Sequence, residues 1–281
     1  PVMHSRWCID LPVDNITGLK GWCPMKLFRI AVVALSLCAT HLFALDGMVL
    51  QLNASQFSRG ALKLHYLSDG ETVTLDNGSC FGPSFSPDGR KVAYSVNDSK
   101  IYIINIDGTG KTEVTTCGGD EVMVTWAGNG YLFWSQCDKK IYRVKTDGSG
   151  KGTVFTSSKN IHAVCVSQDG SRAAWTAPSW VLRVGSIAAG TEQEFGGGCQ
   201  GSISPDGQLV THNQGGHTEC IIRNFDGSEY KTIHTPEGTF NAHRWSHSSN
   251  DHCLYTIEGS NKAYIHNVRT DVATYVGATG A

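Results

Sequence analysis

A short phrase recurs along this chain at nearly constant intervals. It consists of an apolar anchor, a turn of the Ser-Pro-Asp-Gly kind and a second apolar run, and the anchors follow one another every 37 to 42 residues. The five anchors are Phe85, Trp126, Val166, Ile203 and Trp245. A fixed period of about 40 residues indicates one supersecondary unit repeated in series. The phrase therefore predicts a β-sheet unit that is copied along the chain.

Each unit contains enough sequence for four strands. After the anchor strand, the turn and the second strand comes an alternating third strand, as in residues 101–106, which ends in the turn Asp107-Gly108-Thr109-Gly110. Residues 111–115 then form the fourth candidate strand. Strands of this length with tight turns fit a period of about 40 residues. Four-stranded sheets repeated at this period predict an all-β protein, a β-propeller.

The number of blades depends on the segment before the first anchor. Residues 48–53, 62–67 and 71–75 form three candidate strands, so the chain holds five full units and one unit that lacks its innermost strand. We predict six blades, with a three-stranded first blade, and keep five blades as the alternative. Only residues 277–281 follow the last candidate strand. Either the first blade stays three-stranded, or the natural chain continues past Ala281. Whether further domains follow residue 281 is left open by the sequence.

The repeat resembles a known family. Ser86-Pro87-Asp88-Gly89, followed by the strand 91–95 and by the segment 101–108, is similar to the WD40-like (PD40) repeats of TolB-type propellers. The resemblance covers roughly residues 46–276. It implies the propeller fold and leaves the activity open, because similar blades occur in TolB, in the propellers of prolyl-oligopeptidase-like enzymes and in oligogalacturonate lyases. The α/β domain that precedes the propeller in TolB has no counterpart here.

The N-terminal segment has the pattern of an export signal. Residues 25–29 form a short region with two basic residues, residues 30–42 form a mainly apolar core, and Ala44 offers a small residue for cleavage before Leu45. We therefore predict a leader or misassigned start at 1–24, a signal peptide at 25–44 and a single β-propeller domain at 45–281, in the periplasm or outside the cell. A lipoprotein cleaved before Cys38 is the alternative, although bulky Leu37 disfavours it. The apolar run is shorter than the roughly 20 residues of a membrane-spanning helix.

Charge and cysteine content exclude several classes of protein. Residues 45–281 contain 19 basic and 23 acidic residues, a net charge of about −4, and have no basic stripe of the kind that nucleic-acid binding requires. They also contain seven cysteines, an odd number, without a Cys-x-x-Cys pair that would indicate a zinc ribbon. One to three disulfides are compatible with an oxidising compartment. No Gly-x-Ser-x-Gly elbow is present, which argues against a serine peptidase.

In a propeller, the loops that lead into the first strand of each sheet and the loops between second and third strands meet at one end of the ring, which we call the loop face. The other end, the turn face, carries the Pro-Asp-Gly and Asp-Gly turns. Because binding residues concentrate on loops that depart from a repeat, we expect the site at the loop face. The loops concerned are residues 77–80, 97–100, 117–121, 136–139, 159–162, 178–180, 196–200, 213–217, 235–243 and 258–261.

Histidines are concentrated in the C-terminal part of the chain. Seven of the eleven lie from His212 onward. Neighbouring blades could bring His212, His217 and His243 to one place, and converging imidazoles would suit a transition metal. Oligogalacturonate lyases use such a constellation, so a divalent transition metal and a metal-dependent polysaccharide lyase form the alternative hypothesis. The simpler interpretation is that these are ordinary surface and interstrand histidines. In that case we expect no catalytic residue and no cofactor.

Aromatic and amide residues suggest a second kind of site. Trp180 lies between a second and a third strand, and Phe240 lies in a loop before a first strand. An exposed aromatic plane with nearby amides is a combination that binds sugars, because the ring stacks on C–H faces and the amides bond to hydroxyls. We therefore predict a secreted or periplasmic binding or scaffold module for a protein or glycan ligand. Its expected ligand-binding residues are His162, Trp180, Asn213, His217, Phe240 and His243.

Overall fold

The fold is an all-β propeller, as predicted. The computed structural model describes residues 7–10, 48–53, 59–257 and 262–278. Within these ranges the chain forms antiparallel strands and one short 3-10 helix at Gly215–His217. No helix there has the length and apolarity that a membrane span requires.

The strands form five hydrogen-bonded sheets in chain order. The first sheet contains β1 (Trp7–Asp10), β2 (Met48–Asn53), β3 (Gly60–Tyr66), β4 (Thr72–Phe85), β5 (Lys91–Val96), β6 (Lys100–Asn105) and β7 (Thr112–Thr116). The second contains β8 (Met123–Trp126), β9 (Tyr131–Ser135), β10 (Lys140–Lys145) and β11 (Gly152–Thr156). The third contains β12 (His162–Val166), β13 (Arg172–Ala177), β14 (Val181–Ser186) and β15 (Thr191–Gly197). The fourth contains β16 (Cys199–Ile203), β17 (Leu209–Asn213), β18 (Glu219–Asn224) and β19 (Glu229–His234). The fifth contains β20 (Phe240–Trp245), β21 (His252–Ile257), β22 (Lys262–Asn267) and β23 (Val272–Ala278).

The five sheets correspond to the alternative blade count, and the continuity of β4 explains the difference from six. The sequence suggests a loop at residues 77–80, but β4 remains extended through it. Its first half pairs with β3 and its second half pairs with β5, which joins two repeat units into one seven-stranded sheet. Asp76 fixes this stretch, because it accepts hydrogen bonds from Gly78 N at 2.8 Å and from the Tyr94 hydroxyl at 2.7 Å. The expected boundary between the first two blades is therefore bridged by backbone pairing.

The innermost strands succeed one another around the ring axis. β4 contacts β8, β8 contacts β12, β12 contacts β16, and β16 contacts β20. β1 contacts both β20 and β4 and so closes the series. β1 pairs with β2 and so takes the inner position that the sequence analysis left empty in the first unit. This strand belongs to the segment that the sequence analysis set aside as a leader. The predicted signal peptide, at residues 25–44, lies outside the described residues.

The repeated anchors form the interior between the sheets. All five are buried, as their equivalent positions in the repeat predict. Hydroxyls of one inner strand also bond to the next: Trp126 N donates to Ser84 Oγ and Trp245 N donates to Ser202 Oγ, each at 2.9 Å. Apolar packing and these hydrogen bonds together fix the spacing of neighbouring sheets.

The turn face is built from turns that satisfy their own polar groups. Ser86 donates to Asp88 at 2.6 Å, and Arg90 N donates to the same carboxylate oxygen at 3.1 Å. The same serine–aspartate pair recurs in the third and fourth sheets, also at 2.6 Å. Partial burial opposes ionisation of Asp88, but these hydrogen bonds outweigh it and lower its pKa. The repeated aspartates are thus turn caps.

All seven cysteines of the predicted mature chain are free thiols. No disulfide links the sheets within the described residues. The ring there is held by packing, backbone pairing and side-chain hydrogen bonds.

Candidate functional site

Three chemically different ligand groups meet at the loop face. Glu121 lies in the loop between β7 and β8, Cys137 lies in the turn between β9 and β10, and His162 begins β12. Cys137 Sγ is 3.2 Å from His162 Nδ1 and 3.6 Å from Glu121 Oε2, and the last two atoms are 3.5 Å apart. All three side chains are half-buried. The site thus joins a carboxylate, a thiol and an imidazole that remain partly accessible.

Backbone conformation brings these groups together. Glu121 has φ +49° and Cys137 has φ +56°, values in the left-handed region that non-glycine residues rarely adopt. Val122 N donates to Asp98 Oδ1 at 3.2 Å, and Arg59 forms ion pairs with Asp98 and Asp120. The loop that carries Glu121 is therefore held on both sides. Strained residues that their surroundings hold in place are frequent at functional sites.

The Cys137 thiol is protonated in this environment. Burial is the largest cause, and the neighbouring Glu121 carboxylate adds to it, so that the pKa of Cys137 rises to about 12. A thiolate would be unfavourable here unless a cation compensated the negative charges.

His212, Asn213 and His243 lie near this face but are buried. His243 Nδ1 is 3.1 Å from the Thr211 hydroxyl, and Arg223 Nε donates to His212 Nε2 at 3.2 Å. Burial lowers the pKa of His212 to about 4 and lowers that of His243 well below its ordinary range. Both imidazoles are therefore neutral, and each uses one ring nitrogen inside the fold. His212 Nδ1 and His243 Nε2 are buried and have no hydrogen-bond partner among the described residues.

His217 lies at the end of the 3-10 helix that follows β17, and its side chain is half-buried. Its Nε2 atom is 3.3 Å from Cys199 Sγ. Among the described residues, the set of three or more metal-ligating side chains within 4.8 Å of one another is Glu121, Cys137 and His162. His212, His217 and His243 do not form such a set. The metal-dependent lyase alternative therefore stays a prediction.

Phe240 is not the exposed loop aromatic that the sequence predicts. β20 begins at Phe240, and the side chain is fully buried against Tyr255, edge to face, with ring centroids 4.9 Å apart. The loop before β20 ends four residues earlier than the sequence suggested, at residue 239 instead of 243, and the Phe240 ring lies in the interior.

Among the described residues of the loop face, Trp180 is the exposed aromatic. Its side chain is 59% exposed, and it occupies a three-residue turn between β13 and β14. Ser179 and Trp180 both have positive φ, +69° and +56°, although neither is glycine. The Trp180 carbonyl accepts a hydrogen bond from Gly198 N at 2.7 Å, which ties this turn to the segment before β16. A bulky residue in this conformation costs about 1–2 kcal/mol, so its presence points to a use for the side chain.

Acid should destabilise the fold through the buried His212 and the half-buried His247. The ordinary histidine pKa of 6.5 falls to about 4 for His212 and for His247, chiefly through burial. The unfolded chain therefore binds protons first, and stability should fall as pH drops from about 6.5 to about 4, by on the order of 3 kcal/mol for each imidazole. Urea denaturation at a series of pH values measures this. His247→Gln places glutamine where the third sheet has Gln168 at the equivalent position of the repeat. This variant should lose less stability between pH 6.5 and pH 4 than the wild type, and an equal loss would contradict the role of His247.

Sequence analysis included His162 in the site but missed Glu121 and Cys137. Both lie in loops assigned to the loop face, yet each is a single residue without a motif. The signal that identifies them is the convergence of three separate loops, which becomes visible only in the folded ring.

Comparisons with known proteins support the fold. No family model matches the chain, and no curated protein matches it. Among solved structures, a chain of a nidogen–laminin complex aligns with a TM-score of 0.62 at 11% identity, covering 77% of this chain and 89% of that one. TolB from Acinetobacter baumannii aligns with a TM-score of 0.58 at 20% identity, covering 68% of this chain and 52% of TolB.

A chain of the mitotic checkpoint complex aligns with a TM-score of 0.57 at 14% identity, covering 82% of this chain and 73% of that one. At these identities the likeness shows the fold alone. The resemblance to TolB repeats is matched by a structural likeness to TolB, whereas membership of the PD40 repeat family stays a prediction.

Proposed function

We propose that this propeller is a binding module of the periplasm or the cell exterior, and that it contacts a protein or a cell-wall glycan through its loop face. The observation that carries the proposal is Trp180. An indole that is mostly exposed and held in a strained turn offers a rigid apolar plane with little entropy to lose on binding. Two of the solved structures that align with this chain are protein complexes, which favours a protein over a glycan as the ligand.

The position of Trp180 distinguishes it from the other exposed apolar side chains. Among the described residues these are Tyr230, Val272 and Tyr275, and all three lie on the outermost strands of their sheets. Trp180 lies instead at the end of the ring where His162 and His217 are also accessible. The turn face, by contrast, consists of capped turns. The loop face therefore combines an aromatic anchor with polar groups, as binding surfaces do.

Replacing Trp180 with alanine should weaken ligand binding about tenfold or more, because buried aromatic anchors carry much of the energy of an interface. Tyr230→Ala is the matched control, since that aromatic is exposed on β19 away from the loop face. Binding is measured by immobilising each variant and quantifying capture from an extract of exported proteins, and by titration with oligogalacturonides and peptidoglycan fragments. Equal binding by both variants to every ligand that the wild type captures would contradict the proposal.

A further inference from the structure

The spacing of Glu121, Cys137 and His162 fits the coordination sphere of a metal ion. Zinc–sulfur bonds of about 2.3 Å and zinc–nitrogen or zinc–oxygen bonds of about 2.0–2.1 Å, at tetrahedral angles, separate S from N or O by about 3.6 Å and N from O by about 3.4 Å. The observed separations are 3.2, 3.6 and 3.5 Å. The three atoms therefore already surround a point that could hold the ion.

The chemistry of the three donors is selective. A thiol, an imidazole and a carboxylate together suit zinc, whereas calcium and magnesium prefer oxygen ligands alone. The Glu121 carboxylate and a Cys137 thiolate would contribute two negative charges, which a divalent cation compensates.

The backbone around the proposed ligands is fixed by its surroundings. Glu121 and Cys137 are fixed in left-handed backbone conformations, and Asp98 accepts the N–H of Val122, the residue after Glu121. The ligands come from two neighbouring sheets, since Cys137 follows β9 and His162 begins β12. A bound ion would thus also link these two sheets at the loop face.

From this geometry we propose a zinc site formed by Glu121, Cys137 and His162, with a fourth position open to water or to a ligand. Zinc binding replaces the proton on Cys137 Sγ by a zinc–sulfur bond and releases that proton to solvent. The proposal is independent of Trp180 and of the nature of the macromolecular ligand.

Cobalt(II) is the probe for this site, because a thiolate ligand gives a charge-transfer band and tetrahedral coordination gives intense visible bands. The wild-type chain, treated with chelator and reductant, should bind one cobalt per chain with both bands and exchange it for zinc. Cys137→Ser should abolish the charge-transfer band and weaken binding by more than the roughly 10- to 100-fold that loss of an outer-shell partner costs. Glu121→Gln should weaken binding while retaining the sulfur band.

Cys199→Ser is the matched control, since Cys199 also contacts a histidine, His217, but the described residues hold no third ligand beside that pair. It should leave the cobalt spectrum unchanged. Circular dichroism checks that each variant folds. A folded wild-type chain without a sulfur–cobalt band would overturn the proposal, whatever the variants do. A band that persists in Cys137→Ser and disappears in Cys199→Ser would overturn it as well.

Discussion

Replacing Trp175 with alanine should lower the free energy of unfolding by about 3 to 5 kcal/mol. Trp175 is fully buried in β13, and its ring packs against Phe155 with centroids 5.6 Å apart. A Cβ atom added at Gly185 would lie only 2.9 Å from Trp175 Cη2, so the ring is packed flush against the neighbouring strand. The truncation therefore leaves a large cavity that rigid sheets cannot close.

Trp180→Ala is the matched control for this stability measurement. The same residue type is exposed at the next turn of the same sheet, so its removal should change stability by no more than about 0.5 kcal/mol. Urea denaturation of both variants gives the comparison. A loss below about 1 kcal/mol for Trp175→Ala, or equal losses for both variants, would show that Trp175 is not part of the packed interior.

Gly82→Ala should cost about 2 to 5 kcal/mol, because two penalties coincide at this position. Gly82 has φ +52°, and an added Cβ would approach Met123 Cα at 2.6 Å and Val122 O at 3.0 Å. Those atoms belong to the backbone of the next sheet, so the contact cannot be relieved by rotating a side chain. The substitution should force β4 and β8 apart.

Gly130→Ala separates the two penalties. Gly130 also has a positive φ, +81°, but an added Cβ would meet nothing within 4 Å. Its replacement should cost only the backbone strain, about 1–2 kcal/mol. Thermal or urea denaturation measures both losses. If Gly82→Ala is no more destabilising than Gly130→Ala, β4 and β8 do not approach each other as closely as described here.

The fold could be predicted from the sequence because the repeat encodes it locally. Anchors such as Trp126 and Trp245 recur at nearly constant intervals. The conformation of the turns between them follows largely from the local sequence. The blade count could not be predicted in the same way, since the continuity of β4 depends on bonds that Asp76 makes to Tyr94 in the neighbouring strand. The pairing of Trp7–Asp10 with β2 likewise joins segments that are distant in sequence and share no motif.

The candidate site was predicted only in part. The loop face followed from the order of the strands, and His162 and Trp180 lie there. Phe240 begins β20 at the same end of the ring, but its side chain is buried, because the strand starts earlier than the sequence suggested. Cys137 is 16 residues from Glu121 and 25 from His162, and their meeting depends on left-handed turns at residues other than glycine. Propensity does not predict such conformations.

The central claim is that the loop face, and not the turn face, contacts the ligand. Site-specific photo-crosslinking tests it most directly, with p-benzoylphenylalanine placed at Trp180 in one variant and at Thr146 in another. Thr146 is exposed in the turn between β10 and β11, on the turn face. In cells that export the chain, irradiation should give covalent adducts with protein or glycan from position 180 and none from position 146. Adducts from position 146 with none from position 180 would contradict the account.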